Sequence, residues 1–220
     1  MKRIGFLHTS PVHTTTFELL VAHTDGTVET VTIVNETLLD DARLDGPASD
    51  RVRAGINDAL DLLVESGAQA IVCTCSTIGG QAEIEGSARS IDVMRVDRPM
   101  AEAAVRAGRR ITVLATIDST TGPTADLLAE VARSNGTDIE VTVRVCDDAW
   151  EHFERGDLDQ YVAIVAAECN AAASSSDVIV LAQASMARAA EFCTTSVPVI
   201  SSPLRAVEAA VGEERQPRLS

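Results

Sequence analysis

The chain reads as an α/β protein built on parallel sheets. Short, near-continuous apolar runs suit strands buried on both faces. Amphipathic helical stretches separate them, and the same order of elements is met twice along the chain. With 220 residues there is room for one large domain or two small ones, each with an ample core.

Residues 3–8 are a short apolar run, predicted as a strand, and 14–22 read as a helix. β-branched alternation makes 26–35 a strand, and 49–66 is strongly amphipathic, hence a helix. Residues 68–74 form a buried strand, with a helix starting near Thr77. Residues 92–96 form a strand, and 99–107 a helix opened by Pro99, where a missing N–H costs nothing. The order then restarts. Residues 110–115 are a strand, 123–134 a helix, 138–146 a strand and 158–173 a helix. The run Ser174-Ser175-Ser176-Asp177 is a turn before the next strand, 178–182. A strand at 197–200 and a helix at 203–211 follow, and the polar tail from Gly212 is expected to fray.

The restart is a duplication. Arg3-Ile4-Gly5-Phe6-Leu7-His8-Thr9 lies over Arg110-Ile111-Thr112-Val113-Leu114-Ala115-Thr116 at an offset of 107, which also sets Thr14 on Thr121 and Leu20 on Leu127. Ala70-Ile71-Val72-Cys73-Thr74-Cys75 lies over Val178-Ile179-Val180-Leu181-Ala182-Gln183 at an offset of 108. Pro99 and Pro203 each follow a short strand. The chain accordingly divides into a first domain, 1–97 with 205–220, and a second, 98–204. One half carries a titratable thiol, Cys75, where the other carries the amide of Gln183.

Composition narrows the function classes. A net charge of −15 excludes the basic face that nucleic acid requires. Aromatic residues make up only 3%, too few for base- or sugar-stacking platforms. An acidic surface weakly repels anions, so any carboxylate site must be built locally from backbone N–H groups and hydroxyls. No apolar run reaches membrane-spanning length, and the N-terminus enters a strand without a signal peptide. The five cysteines, Cys73, Cys75, Cys146, Cys169 and Cys193, are an odd number in a chain that needs no staples. A reduced, cytoplasmic setting is expected.

Ligands of open parallel sheets bind beyond the carboxyl ends of the strands. The segments placed there are His8-Thr9-Ser10-Pro11, 74–80, 116–122 and 182–186, three of them rich in Ser and Thr. Hydroxyls and helix N-terminal amides at such places suit a carboxylate. Cys73-x-Cys75 invites a metal, but Cys146, Cys169 and Cys193 are isolated and His152 stands alone on a charged stretch, so no metal site is expected. Gly79-Gly80 lacks the Lys and spacing of a phosphate loop, and no Gly-x-Gly-x-x-Gly occurs, so no nucleotide cofactor is expected.

These segments resemble the aspartate/glutamate/hydantoin racemase superfamily. Ile71-Val72-Cys73-Thr74-Cys75-Ser76-Thr77 is similar to that family's first motif, a buried strand ending in Cys-Asn-Thr. Cys75 takes the catalytic cysteine position and Ser76 replaces the usual Asn. Leu114-Ala115-Thr116-Ile117-Asp118-Ser119 resembles its Leu-Ala-Thr-x-x-Thr segment. Residues 180–187 resemble the second motif, most of all that of hydantoin racemases, with Gln183 where Cys normally stands. The resemblance spans nearly the whole chain. It implies two pseudo-symmetric, flavodoxin-like α/β domains with the active site in a cleft between them, no cofactor, and homodimers as one assembly.

Racemisation beside a carboxylate needs a base on one face of the carbon and an acid on the other. The family uses two cysteines, one per domain. A thiol with an ordinary pKa near 8.5 needs donors or a helix N-terminus to lose its proton, and Cys75 stands at a predicted helix start. Gln183 cannot exchange a proton at neutral pH. Either another residue serves the opposite face, or the reaction needs one proton transfer. His8, which ends the first strand and titrates near neutrality as a free side chain, is the candidate counterpart, as is a water held by Gln183. His13 is nearby, close to a helix start. Thr9, Ser10, Ser76, Thr77, Thr116, Ser119 and Ser185 are the expected carboxylate donors, and Cys73 is expected to point into the core. The resemblance implies a racemase or epimerase acting on a small carboxylate such as an amino acid or hydantoin. The alternatives are a decarboxylase or carbon–carbon lyase using one cysteine, and a catalytically lapsed carboxylate-binding protein.

Overall fold

In the computed structural model, which describes residues 2–212, the elements run in chain order as follows. They are β1 (Arg3–His8), α1 (Val12–Thr24), β2 (Glu29–Val34), α2 (Thr37–Asp45), α3 (Asp50–Glu65), β3 (Ala70–Cys73), α4 (Ser76–Gly86) and β4 (Asp92–Arg95). Next come α5 (Arg98–Ala107), β5 (Arg110–Ala115), α6 (Asp118–Ser134), β6 (Glu140–Val145), α7 (Ala149–Glu154) and α8 (Leu158–Ala172). The chain closes with β7 (Val178–Leu181), a 3₁₀ segment (Ala184–Phe192), β8 (Val199–Ser201) and α9 (Pro203–Val211). Two compact units result: one runs to Val96 and takes back the chain from Pro203, and the other is Asp97–Ser202.

Each unit holds a four-stranded, all-parallel sheet, ordered β2-β1-β3-β4 in the first and β6-β5-β7-β8 in the second. The registers match the offsets read from sequence: Ile4 pairs with Ala70 and Leu7 with Cys73, as Ile111 pairs with Val178 and Leu114 with Leu181. The ladder closures match too. Thr74 N–H donates to the Leu7 carbonyl as Ala182 N–H does to Leu114, and Asn35 N–H to His8 as Cys146 N–H to Ala115.

Strand alternation explains the cores. In the first unit Leu7, Ile71 and Cys73 pack against Ile56, Leu60 and Leu63 of α3, and against Ile78 and Ala82 of α4. Cys73 thus faces the core. The opposite face buries Ile4 and Phe6 with Phe17 of α1, the Phe6 and Phe17 rings 5.3 Å apart, and α9 packs on α1 and β3. In the second unit Ile111, Val113, Val178 and Val180 meet α5 and α6, while Leu114, Ile179 and Leu181 meet α8 and the 3₁₀ segment. Each fully buried Leu, Ile or Val contributes roughly 1.5–3 kcal/mol.

Differences from the sequence reading have local causes. Helix α6 starts at Asp118, ahead of Pro123; a proline in the second turn costs one backbone bond without stopping a helix already begun. Helices α2 and α7 are short and charged, with few buried positions (Leu38, Asp41 and Ala42; Ala149), so no periodicity marks them. The Ser-rich run is a 3₁₀ turn, Ala173–Ser175. The Asp177 carboxylate after it accepts from the Arg109 and Arg110 N–H groups and from the Arg110 guanidinium, pinning the start of β5 to β7. The tail expected to fray lies, from residue 213, outside the described residues.

Gly86 gives the fold a signed test. A Cβ there, at the end of α4, would meet Val93 Cβ at 2.4 Å. Gly86→Ala is expected to destabilise by about 1–3 kcal/mol through overpacking, and its urea unfolding midpoint should fall.

Candidate functional site

Because every strand in a unit is parallel, the carboxyl ends of β1 and β3 leave the first sheet at one edge, and those of β5 and β7 leave the second sheet at the equivalent edge. Residues at these edges are set by where the ladder stops.

In the first unit, Thr74 makes the last ladder bond and Cys75 is the first residue beyond it. Cys75 is the N-cap of α4, extended at φ −105° and ψ 112°, with no side-chain capping bond. Its side chain is half-buried and its thiol takes part in no hydrogen bond among the described residues. Ser76 and Thr77 follow in the first helical turn, both buried. Thr9 is buried and Ser10 half-buried in the turn between β1 and α1.

His8 is fully buried at the end of β1, its ring 5.5 Å from Phe17 and 6.4 Å from His13. Its Nδ1 lies 2.7 Å from Thr74 Oγ1, which itself donates to the Leu7 carbonyl at 3.2 Å. The Thr74 hydroxyl proton is therefore committed, so His8 Nδ1–H is the donor and Nε2 carries the lone pair. Among the described residues Nε2 has no hydrogen-bond partner. Burial, reinforced by neighbouring His13, lowers the His8 pKa to about 4, and burial does the same to His13. This corrects the expectation of a histidine titrating near neutrality: at pH 7 both rings are neutral.

Arg95, at the end of β4, is a residue the sequence reading missed. Only 5% exposed, it receives a backbone role from Glu83, whose Oε1 accepts the Arg95 N–H at 3.1 Å, and its Nη2 approaches the Ser76 carbonyl at 3.4 Å. A Cβ on Gly79 would come within 2.8 Å of Arg95 Cβ, and one on Gly80 within 3.3 Å of Nη1. The glycine pair after the cysteine motif makes room for this arginine. The only sequence signal was a charge closing a short strand.

In the second unit Gln183 occupies the position equivalent to Cys75, again the residue that follows the ladder and caps the next segment. It is 9% exposed and fully engaged with Thr116: Thr116 N–H donates to Oε1 at 2.7 Å, and Nε2 donates to Thr116 Oγ1 at 2.8 Å. Ser119 is half-buried in the first turn of α6. Ser185, half-buried in the 3₁₀ segment, lies 2.7 Å from the phenol of Tyr161 on α8. Tyr161, also missed, is the chain's one tyrosine, and burial pushes it up to about 12. Burial likewise raises Cys146 to about 12 and raises Cys169 and Cys193, so these thiols are held protonated.

His8, Thr9, Ser10, Cys75, Ser76 and Thr77 thus share the strand-end edge of the first unit, and Thr116, Ser119, Gln183 and Ser185 that of the second. The first edge offers a thiol, a neutral imidazole and hydroxyls; the second offers hydroxyls and an amide. Among the described residues no group of three or more His, Cys, Asp or Glu side chains is arranged to hold a metal ion, and no helix is long and apolar enough to cross a membrane.

The lowered His8 pKa fixes a sign. Above about pH 6.5 the ring is neutral in both folded and unfolded chains, and as pH falls toward 4 the unfolded chain binds a proton that the folded one refuses. Stability is therefore full above that window and lost through it, by about 3 kcal/mol for His8. Glu85 and Asp177, held near 2 by their Arg partners and hydrogen bonds, titrate below it. Urea unfolding midpoints should fall between pH 6.5 and 4 in the natural chain and fall less in His8→Gln.

The fold is shared with solved structures of low sequence identity. An aspartate racemase from Picrophilus torridus superposes with a TM-score of 0.75 at 17% identity, covering 98% of this chain and 96% of that one. Allantoin racemase from Klebsiella pneumoniae gives 0.72 at 17% identity, covering 96% and 87%. A sulfate-associated variant of arylmalonate decarboxylase gives 0.60 at 17%, covering 99% and 97%. Among curated proteins none matches. The sequence model of the Asp/Glu/Hydantoin racemase family matches residues 7–210, and with that match over nearly the full length the chain belongs to the Asp/Glu/hydantoin racemase family.

Proposed function

We propose that this chain is a cofactor-independent isomerase of racemase or epimerase type, in which the Cys75 thiol moves the proton at the α-carbon of a small carboxylate. The observation that carries this reading is the state of Cys75: a half-buried thiol at the N-cap of α4, at the strand-end edge, spent neither on capping nor on any other hydrogen bond among the described residues. The other cysteines are buried in cores or held protonated. Removing the α-proton places charge on the carboxylate oxygens, and the hydroxyls of Thr9, Ser10, Ser76, Thr77, Thr116, Ser119 and Ser185 are the donors assigned to it.

The opposite face of the carbon does not receive a thiol from position 183. His8, neutral with a pKa near 4, is too weak a base to match a thiol and is scarce in its acid form at pH 7. Its Nε2 lone pair can accept a hydrogen bond, which makes it an orienting group for substrate or water. The amide of Gln183 favours a second reading, in which one thiol delivers a proton to a single face after a carbon–carbon bond is cleaved, as in a decarboxylase or lyase. The two separate by stereochemistry: a racemase loses optical purity as deuterium enters, while a single-face enzyme exchanges with retention.

Amino acids, hydroxy acids and hydantoins incubated in heavy water, followed by NMR and chiral chromatography, provide the test. Cys75→Ala is expected to lower α-proton exchange by roughly 10²–10⁴-fold, and Cys73→Ala to leave the exchange chemistry in place. Exchange unaffected by Cys75→Ala would sink the thiol mechanism. Gln183→Cys is expected to raise racemisation relative to exchange, and to cost about 1–3 kcal/mol of stability because Thr116 N–H loses its acceptor. A natural chain that already racemises fully, with no change in this variant, would show that no second thiol is needed.

A further inference from the structure

Strand β6 is an open edge. It pairs with β5 alone, and its chief helical neighbour is α6, whereas β2, its counterpart in the first unit, lies against both α1 and α3. Glu140, Thr142, Val143 and Val145 of β6 are exposed, while in β2 only Val34 is. Edge strands are commonly blunted by Pro, Lys or a bulge. β6 has none of these in its unbroken register, and Val141, Thr142, Val143 and Val145 are all β-branched.

The free backbone groups can be assigned. Glu140 N–H donates to the Arg109 carbonyl at 2.8 Å, and Cys146 N–H to the Ala115 carbonyl at 2.7 Å. Peptide groups alternate along a strand, so the even-numbered residues bond β5, and Val141, Val143 and Val145 turn their N–H and C=O groups outward. Two such edges meet antiparallel when outward residues face outward residues. A two-fold axis at Thr142 sets Val141 opposite Val143 of the second copy, as hydrogen-bonded pairs, and Thr142 opposite itself. The same axis sets Glu140 opposite Arg144 of the second copy, and the reverse. No ion pair among the described residues engages Arg144, and Glu140 acts on Arg110, which is itself bonded to Asp177. Val141 packs against the α5–α6 core, so the apolar face of one sheet continues onto the next. An axis at Val143 would keep the backbone bonds but set Glu140 opposite Cys146 and Arg144 opposite Thr142. Charge selects the first register.

We propose that β6 is a self-pairing surface: two copies of this chain join β6 to β6, antiparallel and centred on Thr142, into one continuous sheet. The occupant is a second copy because both halves of the charge match lie on β6 itself. Pairing uses up this edge on both copies, so the assembly closes as a dimer. It is independent of the thiol chemistry proposed above.

Sedimentation of the full chain, from low to high micromolar concentration, is expected to show the average mass rising from 23.2 kDa toward twice that. Glu140→Arg and Arg144→Glu are each expected to raise the dimer dissociation constant about tenfold, the effect of two cross-strand charge pairs turned repulsive. The two changes together are expected to restore it, which a mere fold defect would not do. With oxidised glutathione, Thr142→Cys is expected to give a disulfide-linked dimer absent from the natural chain, its two copies standing about 4.5 Å apart, Cα to Cα. Val143→Cys is expected to stay unlinked, its copies lying beyond the roughly 7 Å that a disulfide spans. A chain monomeric throughout, which would leave β6 to an extended strand of another protein, would overturn the proposal. So would a dimer indifferent to both charge changes, losses that the double variant does not restore, or linkage at Val143→Cys in place of Thr142→Cys.

Discussion

The pairing of the first strand with the third in each unit is the constraint on which the rest depends. Parallel neighbours cannot be joined by a tight turn, so each strand is followed by a crossover and every carboxyl end emerges at the same edge. The ladder ends at Thr74 N–H to the Leu7 carbonyl in one unit and at Ala182 N–H to Leu114 in the other, both at 2.9 Å. The next residue is released from the sheet, and it is Cys75 in one and Gln183 in the other. Register also decides which sulfur is buried: Cys73 pairs with Leu7 and packs into the α3 face, and a one-residue slip would exchange core and edge.

The two edges bury polar groups in different ways. An unsatisfied buried donor or acceptor costs about 1–3 kcal/mol, so most are paired. Arg95 lies along the first turn of α4 in space left by Gly79 and Gly80. Gln183 uses both ends of its amide on Thr116. His8 keeps one nitrogen on Thr74 and leaves Nε2 without a partner among the described residues. The thiol of Cys75 is similarly unspent. The first edge thus holds chemistry in reserve, while the second spends its amide on Thr116 and pairs Ser185 with Tyr161. That difference follows two non-equivalent pairs in the duplication, Cys75 against Gln183 and His8 against Ala115.

Much of this architecture is legible in the residues. Apolar strands such as Ile71-Val72-Cys73 and Val178-Ile179-Val180-Leu181 have few alternatives once amphipathic helices flank them, and the offsets of 107 and 108 reappear as strand registers. Helices α2 and α7 escaped because elements of nine and six residues with three and one buried positions produce no period above background. Arg95 and Tyr161 escaped for another reason. A charge at a strand end and a lone tyrosine on a helix have no motif, and their roles come from neighbours 19 and 24 residues away, Ser76 and Ser185.

By itself the sequence determined the α/β class, the repeated strand order and the position of Cys75 at a strand end, because hydrophobic periodicity and local turn chemistry act over a few residues. Only the tertiary structure decided the protonation of His8, the anchoring of Gln183 and the pairing of Tyr161 with Ser185. Those depend on burial and on partners brought together across the sheet from 66 or 67 residues away, such as Thr74 for His8 and Thr116 for Gln183, and no local pattern encodes which polar group will meet which when the chain closes on itself.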